Sequence, residues 1–137
     1  LMNDDLANKA AALLEKCETV ALASINEKGY PRICVVSKIK NDGFSCMHFA
    51  TGTNSHKTAH FRKNDKASVC YTHGADSVTL LGKIEIIEDM EVKKALWQDW
   101  FICHFPKGVN DPEYCVLKFS ANEATFWIDS RFETHSC

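Results

Sequence analysis

The sequence predicts a mainly β domain with peripheral helices, in which short antiparallel strands close into a small barrel. Short apolar runs are separated by tight-turn signals, of which Asn41-Asp42-Gly43 is the strongest. Only three segments have helical periodicity, and they are spread between the strands. The chain of 137 residues suits one domain with its own core, and neither a repeat nor an interdomain linker is visible.

The first half of the chain predicts one amphipathic helix followed by three strands. Apolar residues recur at helical spacing over residues 3–16 and predict the helix. The turn signals at residues 26–29 and 41–43 separate the strands, and the second and third strands form an antiparallel hairpin. The three strands are predicted over residues 19–25, 30–40 and 44–50.

The second half predicts two further helices and the remaining strands. A short helix, capped by Thr53 or Asn54, runs to about residue 63, and a second is capped by Asp89 and carries Phe101 on one side. Residues 103–112 are expected to form a loop. A closing hairpin turns at residues 121–123, and the polar tail after Asp129 is expected to fray. The strands of this half are predicted over residues 66–72, 77–88, 114–120 and 124–129.

Composition excludes several classes of function. A net charge of −2 argues against a general nucleic-acid binder. No apolar run is long enough to span a membrane and no signal peptide is visible, so a cytoplasmic location is expected. The seven cysteines are odd in number and form no C-x-x-C pair, which predicts reduced core residues. No metal site is predicted; the helical pair His56/His60 is a weaker candidate for metal than for anion binding.

The start of the helix near residue 55 is a candidate anion site. Ser55, His56 and Lys57 are expected in its first turn, where backbone amides are unpaired and the helix dipole is positive. A lysine there opposes the dipole unless an anion such as phosphate binds. Neither Asp nor Glu occurs between Asp42 and Asp65. The alternative is a solvated basic helix start, and this stretch alone does not decide between them.

The second strand is apolar on both faces. One face is expected to point into the barrel, and the other then needs a partner subunit or a flat ligand to cover it. We expect Cys34 and Val36 to lie on the face that needs this cover. The hairpin places the Arg32 end of the strand beside the Ala50 end of the next, and therefore Arg32 near Lys57.

Three elements now stand in order: residues 32–37, Ala50-Thr51 and Ser55-His56-Lys57. Leu81-Gly82-Lys83 and Thr125-Phe126-Trp127 follow. Together they resemble the pyridoxamine 5′-phosphate oxidase-like superfamily of FMN-binding split barrels, and within it the short general stress protein 26 type. The resemblance covers roughly residues 19–129 and implies a homodimer with FMN at its interface.

The resemblance also implies a role for each matching position. Arg32, Ser55 and Lys57 would bind the FMN phosphate, with His56 where the family often has arginine. Ser77 falls where the oxidases carry a glutamine, and Trp127 would reach the flavin held mainly by the other subunit. The backbone along the isoalloxazine would be that of Ile33, Cys34, Val35, Val36, Ser37, Ala50 and Thr51.

The implied function is an FMN-dependent oxidoreductase whose flavin exchanges hydride or electrons with a nicotinamide donor or a small-molecule substrate. The arginine- and histidine-bearing end of the true oxidases has no match here, although Arg131 is one candidate, so pyridoxamine phosphate oxidation is not expected. The alternatives are a non-catalytic flavin-binding stress protein and a haem- or deazaflavin-binding relative. In the haem case, His104 or His135 would be the axial ligand.

Overall fold

The computed structural model describes residues 4–137 as one barrel with helices around it. The predicted first helix residue, Asn3, lies outside the described residues. Two 3-10 turns, Asp99–Cys103 and Gly108–Asn110, interrupt the long connection before the last two strands. The helices and strands are α1 (Asp4–Glu15), β1 (Thr19–Ile25), β2 (Pro31–Asp42), β3 (Cys46–Gly52), α2 (His56–Lys63), β4 (Lys66–His73), β5 (Asp76–Ile87), α3 (Met90–Leu96), β6 (Tyr114–Ile128) and β7 (Arg131–Ser136).

The predicted antiparallel barrel is confirmed. The strands follow the order β3-β2-β1-β4-β5-β6, and a further pairing of β3 with β6 closes the ring. Every pairing is antiparallel, and the last strand, β7, lies outside the ring on β6. Because β6 is long, its first half closes the barrel against β3 while its second half pairs with β7.

Alternating apolar side chains from the strands fill the barrel. Phe49, Phe119 and Phe126 are fully buried there. The apolar face of α1 covers one side of this core, where the hydroxyl of Tyr71 donates to the Ala10 carbonyl over 2.9 Å. Over residues 4–137, no helix combines the length and the apolar character that crossing a membrane requires.

The closing hairpin predicted around residues 121–123 is wrong, because β6 continues through them. The pairing with β5 passes from Leu81 opposite Glu123 to Gly82 opposite Ala121, so Asn122 is an extra residue in a β-bulge. The short polar stretch has the composition of a turn. The bulge accommodates it without reversing the chain.

The prediction of a frayed tail is also wrong. Residues 131–136 form β7, which returns along β6 after a tight turn at Asp129 and Ser130. Both turn residues have positive φ, 54° and 62°, as two-residue hairpin loops require. The strand was missed because its residues are mostly polar, and pairing to a single neighbour supports it without burying it.

The helix that Asp89 caps is shorter than predicted. Its cap is confirmed, since the Asp89 carboxylate accepts from the Glu91 amide over 2.8 Å, but the helix ends at Leu96 because Trp97 is extended. The 3-10 turn Asp99–Cys103 follows. Phe101 therefore approaches Trp97 from a separate turn, with ring centroids 5.3 Å apart. Both belong to a second apolar cluster built on Tyr114 and Val116 of β6.

The two faces of β2 are the reverse of those expected. Val36 is 7% exposed and Cys34 is half-buried, whereas Ile33 and Val35 are 68% and 71% exposed. The pairing with β1 sets this phase, because Val36 lies opposite the buried Val20. Both alternating sets on β2 are apolar, so its sequence does not specify which one faces inward. The face that needs cover is that of Ile33 and Val35.

Candidate functional site

A cleft of about 390 Å³ opens between β2, β3, the start of α2 and the 3-10 turn after α3. It brings together six of the predicted site residues, namely Val35, Val36, Ser37, Ala50, Thr51 and Lys57. Gly52 completes the strand walls. The remaining wall is aromatic and comes from Trp100, Phe101, His104 and Phe105.

Helix α2 begins one or two residues later than expected. The N-cap is Ser55, not Thr53 or Asn54, and its hydroxyl accepts from the Thr58 amide over 3.3 Å. His56 and Lys57 are therefore the first two helical residues. Their amides have no hydrogen-bond partner within residues 4–137, as is usual for this position.

A chain of hydroxyl groups fixes the turn between β3 and α2. The Thr58 hydroxyl donates to the Gly52 carbonyl over 2.8 Å and lies 2.8 Å from the Ser55 hydroxyl. The Thr51 hydroxyl approaches Ser55 to 3.5 Å. Thr58 is fully buried, so these bonds are shielded from water. The turn holds Lys57 at one end of the cleft.

The same turn is tied to the loop before β6. The Thr53 amide donates to the Glu113 carbonyl over 2.8 Å, and the Asn54 amide group donates to the Glu113 carboxylate over 3.2 Å. Asp111 braces that loop by accepting from the Glu113 and Lys107 amides over 2.9 and 3.2 Å. The Glu113 amide is the main cause of the lowered pKa of the Asp111 carboxyl.

The basic groups at the start of α2 have no internal counter-charge. Across the described part of the chain, the side chains of His56 and Lys57 have neither a hydrogen bond nor an ion pair. Lys57 is half-buried and lines the cleft. An unpaired ammonium beside two free helix amides is an arrangement that can bind a small anion.

The other predicted residues lie outside the cleft. Arg32 is exposed and pairs across the ladder with Ser24, whose hydroxyl is 2.8 Å from His60 Nδ1 of α2. Residues opposite each other in a ladder share a face, so Arg32 lies on the Ser24 side of β2. Cys34 points inward. Ser77 and Trp127 face each other on β5 and β6, and β5 is three strands from β2 around the ring.

Comparison with known proteins identifies the family. The family described as "Pyridoxamine 5'-phosphate oxidase like" matches residues 7–136. The chain belongs to this family. No curated protein matches the sequence.

Solved structures of this fold include a protein related to general stress protein 26 from Clostridium acetobutylicum, 26% identical, with a TM-score of 0.88 and coverage of 98% of this chain and 96% of that one. General stress protein 26 from Bacillus anthracis is 19% identical, with a TM-score of 0.80 and coverage of 96% and 98%. A haem-binding protein from Mycobacterium smegmatis is 14% identical, with a TM-score of 0.76 and coverage of 99% and 60%.

The aromatic wall of this pyridoxamine 5′-phosphate oxidase-like domain was missed from sequence. Residues 97–105 contain two tryptophans and two phenylalanines, which gave the pattern of a buried helix face. Trp100 is held by two contacts: its Nε1–H donates to Gln98 Oε1 over 2.8 Å, and its ring meets Phe101 with centroids 4.6 Å apart at 87°. The signal available in the sequence was an aromatic run that ends at Phe105 and is followed by Pro106.

The histidines differ in their access to the cleft. His104 lines it, whereas His135 lies on β7 within 3.2 Å of a Glu133 oxygen. His48 does not line the cleft. Its Nδ1 is buried without a partner among residues 4–137, and burial, followed by Lys40 and Lys118, lowers its pKa. Within those residues, no three His, Cys, Asp or Glu side chains gather as metal ligands.

Proposed function

We propose that this protein binds FMN in the cleft and works as an FMN-dependent oxidoreductase. The observation that carries the proposal is the unpaired Lys57 ammonium beside the free amides of His56 and Lys57, at one end of a cleft walled by strand backbone. The anionic phosphate suits that end, and a flat ring suits the walls that residues 35–37 of β2 and 50–52 of β3 provide. A volume of about 390 Å³ is within the range of small-molecule sites.

The chain's own residues fit the group. Lys57 and the α2 amides would bind the phosphate, assisted by Arg32 from the neighbouring end of β2, and Ser55 would keep the helix start in place. The strand backbone of residues 33–37 and 50–51 would lie along the isoalloxazine. Bound flavin supplies hydride and electron transfer, while the protein contributes orientation and excludes water.

A second copy of the chain is the proposed partner. The outer face of the sheet carries a row without a single charge across six strands: Val35, Ala21, Cys70, Thr79, Thr125 and Thr134. Ile33 lies beside this row, and Trp127 and Phe132, 42% and 69% exposed, lie at its far side. A two-fold dimer would cover the face with its own copy and bring Trp127 to the partner's flavin, with Ser77 beside it.

The haem alternative has one observation in its favour. His104 lines the cleft, and a structural neighbour is a haem-binding protein. The unpaired cationic end suits a phosphate ester, but haem also carries anionic propionates, so this end does not separate the two cofactors. The donor is proposed to be a nicotinamide or another small molecule, and the seven free cysteines suit a reducing cytoplasm.

Binding of FMN and riboflavin to the purified protein tests the proposal. Quenching of flavin fluorescence should give a much lower Kd for FMN, because riboflavin lacks the phosphate. The visible spectrum of the protein as isolated separates flavin from haem or deazaflavin. Steady-state oxidation of NADH and NADPH by the loaded protein separates an enzyme from a non-catalytic flavin carrier. Equal Kd values for the two flavins would refute the assigned phosphate site.

A further inference from the structure

A second chamber adjoins the cleft at its other end. It measures about 430 Å³ and shares Ser37 and Trp100 with the cleft. Its remaining walls come from the end of α1, from β2 and from the start of the segment after α3. The side chains that give it polarity are Glu15, Glu18, Lys38 and Gln98.

The chamber lies at the opposite end of the cleft from Lys57. Lys38 of β2 pairs with Phe49 of β3, and β3 runs from there through Gly52 to the start of α2. Moving along the cleft from Lys57 therefore leads past the strand walls to Ser37 and into the chamber. A flavin with its phosphate at Lys57 would direct its ring toward this junction.

The chamber is acidic. Glu15 and Glu18 face one basic group, Lys38, whose ammonium already donates to the Leu14 carbonyl and to Asn41 Oδ1 over 3.4 and 3.0 Å. Across residues 4–137, the carboxylate of Glu18 has no hydrogen bond or ion pair.

Trp100 stands between the two spaces with a free surface. The hydrogen bond to Gln98 and the perpendicular ring contact with Phe101 fix the ring, yet 47% of the residue remains exposed. An exposed indole ring offers a surface for stacking and attracts cations to its π face.

We propose that this chamber is the substrate site and that it takes a planar aromatic cation without a phosphate group. The inference rests on the proposed flavin site, which it extends. Trp100 would stack on the substrate's aromatic ring and Glu18 would balance its charge. The substrate ring would then lie beside the isoalloxazine, at the junction of the chamber and the cleft. Anionic rings would be rejected, because Glu15 and Glu18 repel them.

Isothermal titration of the FMN-loaded protein with 1-methylnicotinamide, a planar cation, tests this, with nicotinate as the matched planar anion. We expect the cation to bind at least tenfold more tightly. Trp100→Ala should weaken cation binding about tenfold, and Trp100→Phe should weaken it less. Glu18→Gln should reduce the difference between the two probes, whereas Glu91→Gln, on α3 and not among the residues that line the chamber, should leave it unchanged.

Perturbation of the flavin absorbance by the bound cation provides a second readout besides activity. The chamber's side chains do not depend on the flavin, so the apoprotein should retain a weaker, Glu18-dependent preference for the cation. If FMN itself fails to bind, the proposed function fails, and the apoprotein titration still decides about the chamber. Equal binding of cation and nicotinate, or unchanged binding in both Trp100→Ala and Glu18→Gln, would overturn the inference.

Discussion

Tyr114 and Lys93 make two contacts with each other, a hydrogen bond to the Lys93 carbonyl and a cation–π contact with the Lys93 ammonium. The Tyr114 hydroxyl donates to the Lys93 carbonyl over 2.9 Å, and the Lys93 ammonium lies 5.2 Å from the centre of the Tyr114 ring. Both residues are buried, and burial raises the pKa of Tyr114 to about 12. The pair attaches α3 to the first residue of β6, and α3 leads directly into the aromatic wall of the cleft.

The first prediction concerns this pair. Tyr114→Phe leaves the Lys93 carbonyl without its buried donor, so we expect a loss of about 1–2 kcal/mol in the free energy of unfolding. Urea denaturation measures it. Tyr30→Phe is the matched control, because Tyr30 is 67% exposed and its hydroxyl has no hydrogen bond within residues 4–137. Equal stability of the two variants would show that the bond contributes nothing.

The second prediction concerns the bulge in β6. A Cβ at Gly82 would lie 2.1 Å from the Ser120 carbonyl oxygen, so Gly82→Ala requires the two strands to separate. We expect a loss of more than about 2 kcal/mol, typical of steric conflict in a packed region. Gly52→Ala is the control, since a Cβ there meets nothing closer than 3.8 Å. Comparable urea midpoints for the two apoprotein variants would contradict the assigned bulge.

Sequence patterns were sufficient where local chemistry decides the structure. The first strand was predicted over the residues that β1 occupies, Thr19–Ile25, and Asp89 was correctly placed as a helix cap. The continuity of β6 could not be predicted, because it depends on the fit of Gly82 against Ser120 on a neighbouring strand. Which face of β2 points inward could not be predicted either, because both faces are apolar and only the pairing with β1 determines the inner one.

The residues of the candidate site also fall into those that the sequence could group and those that it could not. Lys57 and the strand residues of the cleft follow one another within a short stretch of chain, so motif order was enough to group them. Trp100 and His104 enter the cleft from a segment far along the sequence. Their position depends on how the second apolar cluster packs on Tyr114, and no local pattern specifies that.

The third prediction concerns the phosphate end of the cleft. Lys57→Ala and Arg32→Ala should each weaken FMN binding by about 1.5–3 kcal/mol, the scale of a hydrogen bond to a charged group, and should leave riboflavin binding nearly unchanged. Lys63→Ala is the control, since Lys63 is an exposed lysine in the last turn of the same helix. Fluorescence titration provides the Kd values. Unchanged FMN affinity in a variant would remove that residue from the site.

The fourth prediction concerns acid stability. His48 has a pKa lowered mainly by burial and then by Lys40 and Lys118, against the weaker opposing effects of Asp42 and Glu85. The unfolded chain therefore binds a proton at His48 more readily than the folded chain does. The contribution of neutral His48 to the free energy of unfolding is fully present above about pH 6.5 and declines as the pH falls below that value. His48→Gln should reduce the loss of stability between pH 7.5 and pH 5, measured by urea unfolding. A variant with the wild-type pH dependence would argue against His48 as the cause.

The fifth prediction concerns assembly. Val35 is 71% exposed at the β2 end of the uncharged outer row, so a carboxylate there would be desolvated if a second copy covers this face. We expect Val35→Asp to sediment as a monomer at concentrations where the wild type is a dimer. Lys94→Asp, an exposed change on α3, should leave the dimer intact.

Trp127→Ala should weaken both assembly and FMN binding, because the proposed flavin site includes the partner's Trp127. FMN should in turn shift the wild type toward dimer, since a ligand that bridges two chains stabilises only the assembled state. A wild-type chain that stays monomeric while holding FMN at full affinity would refute the shared site.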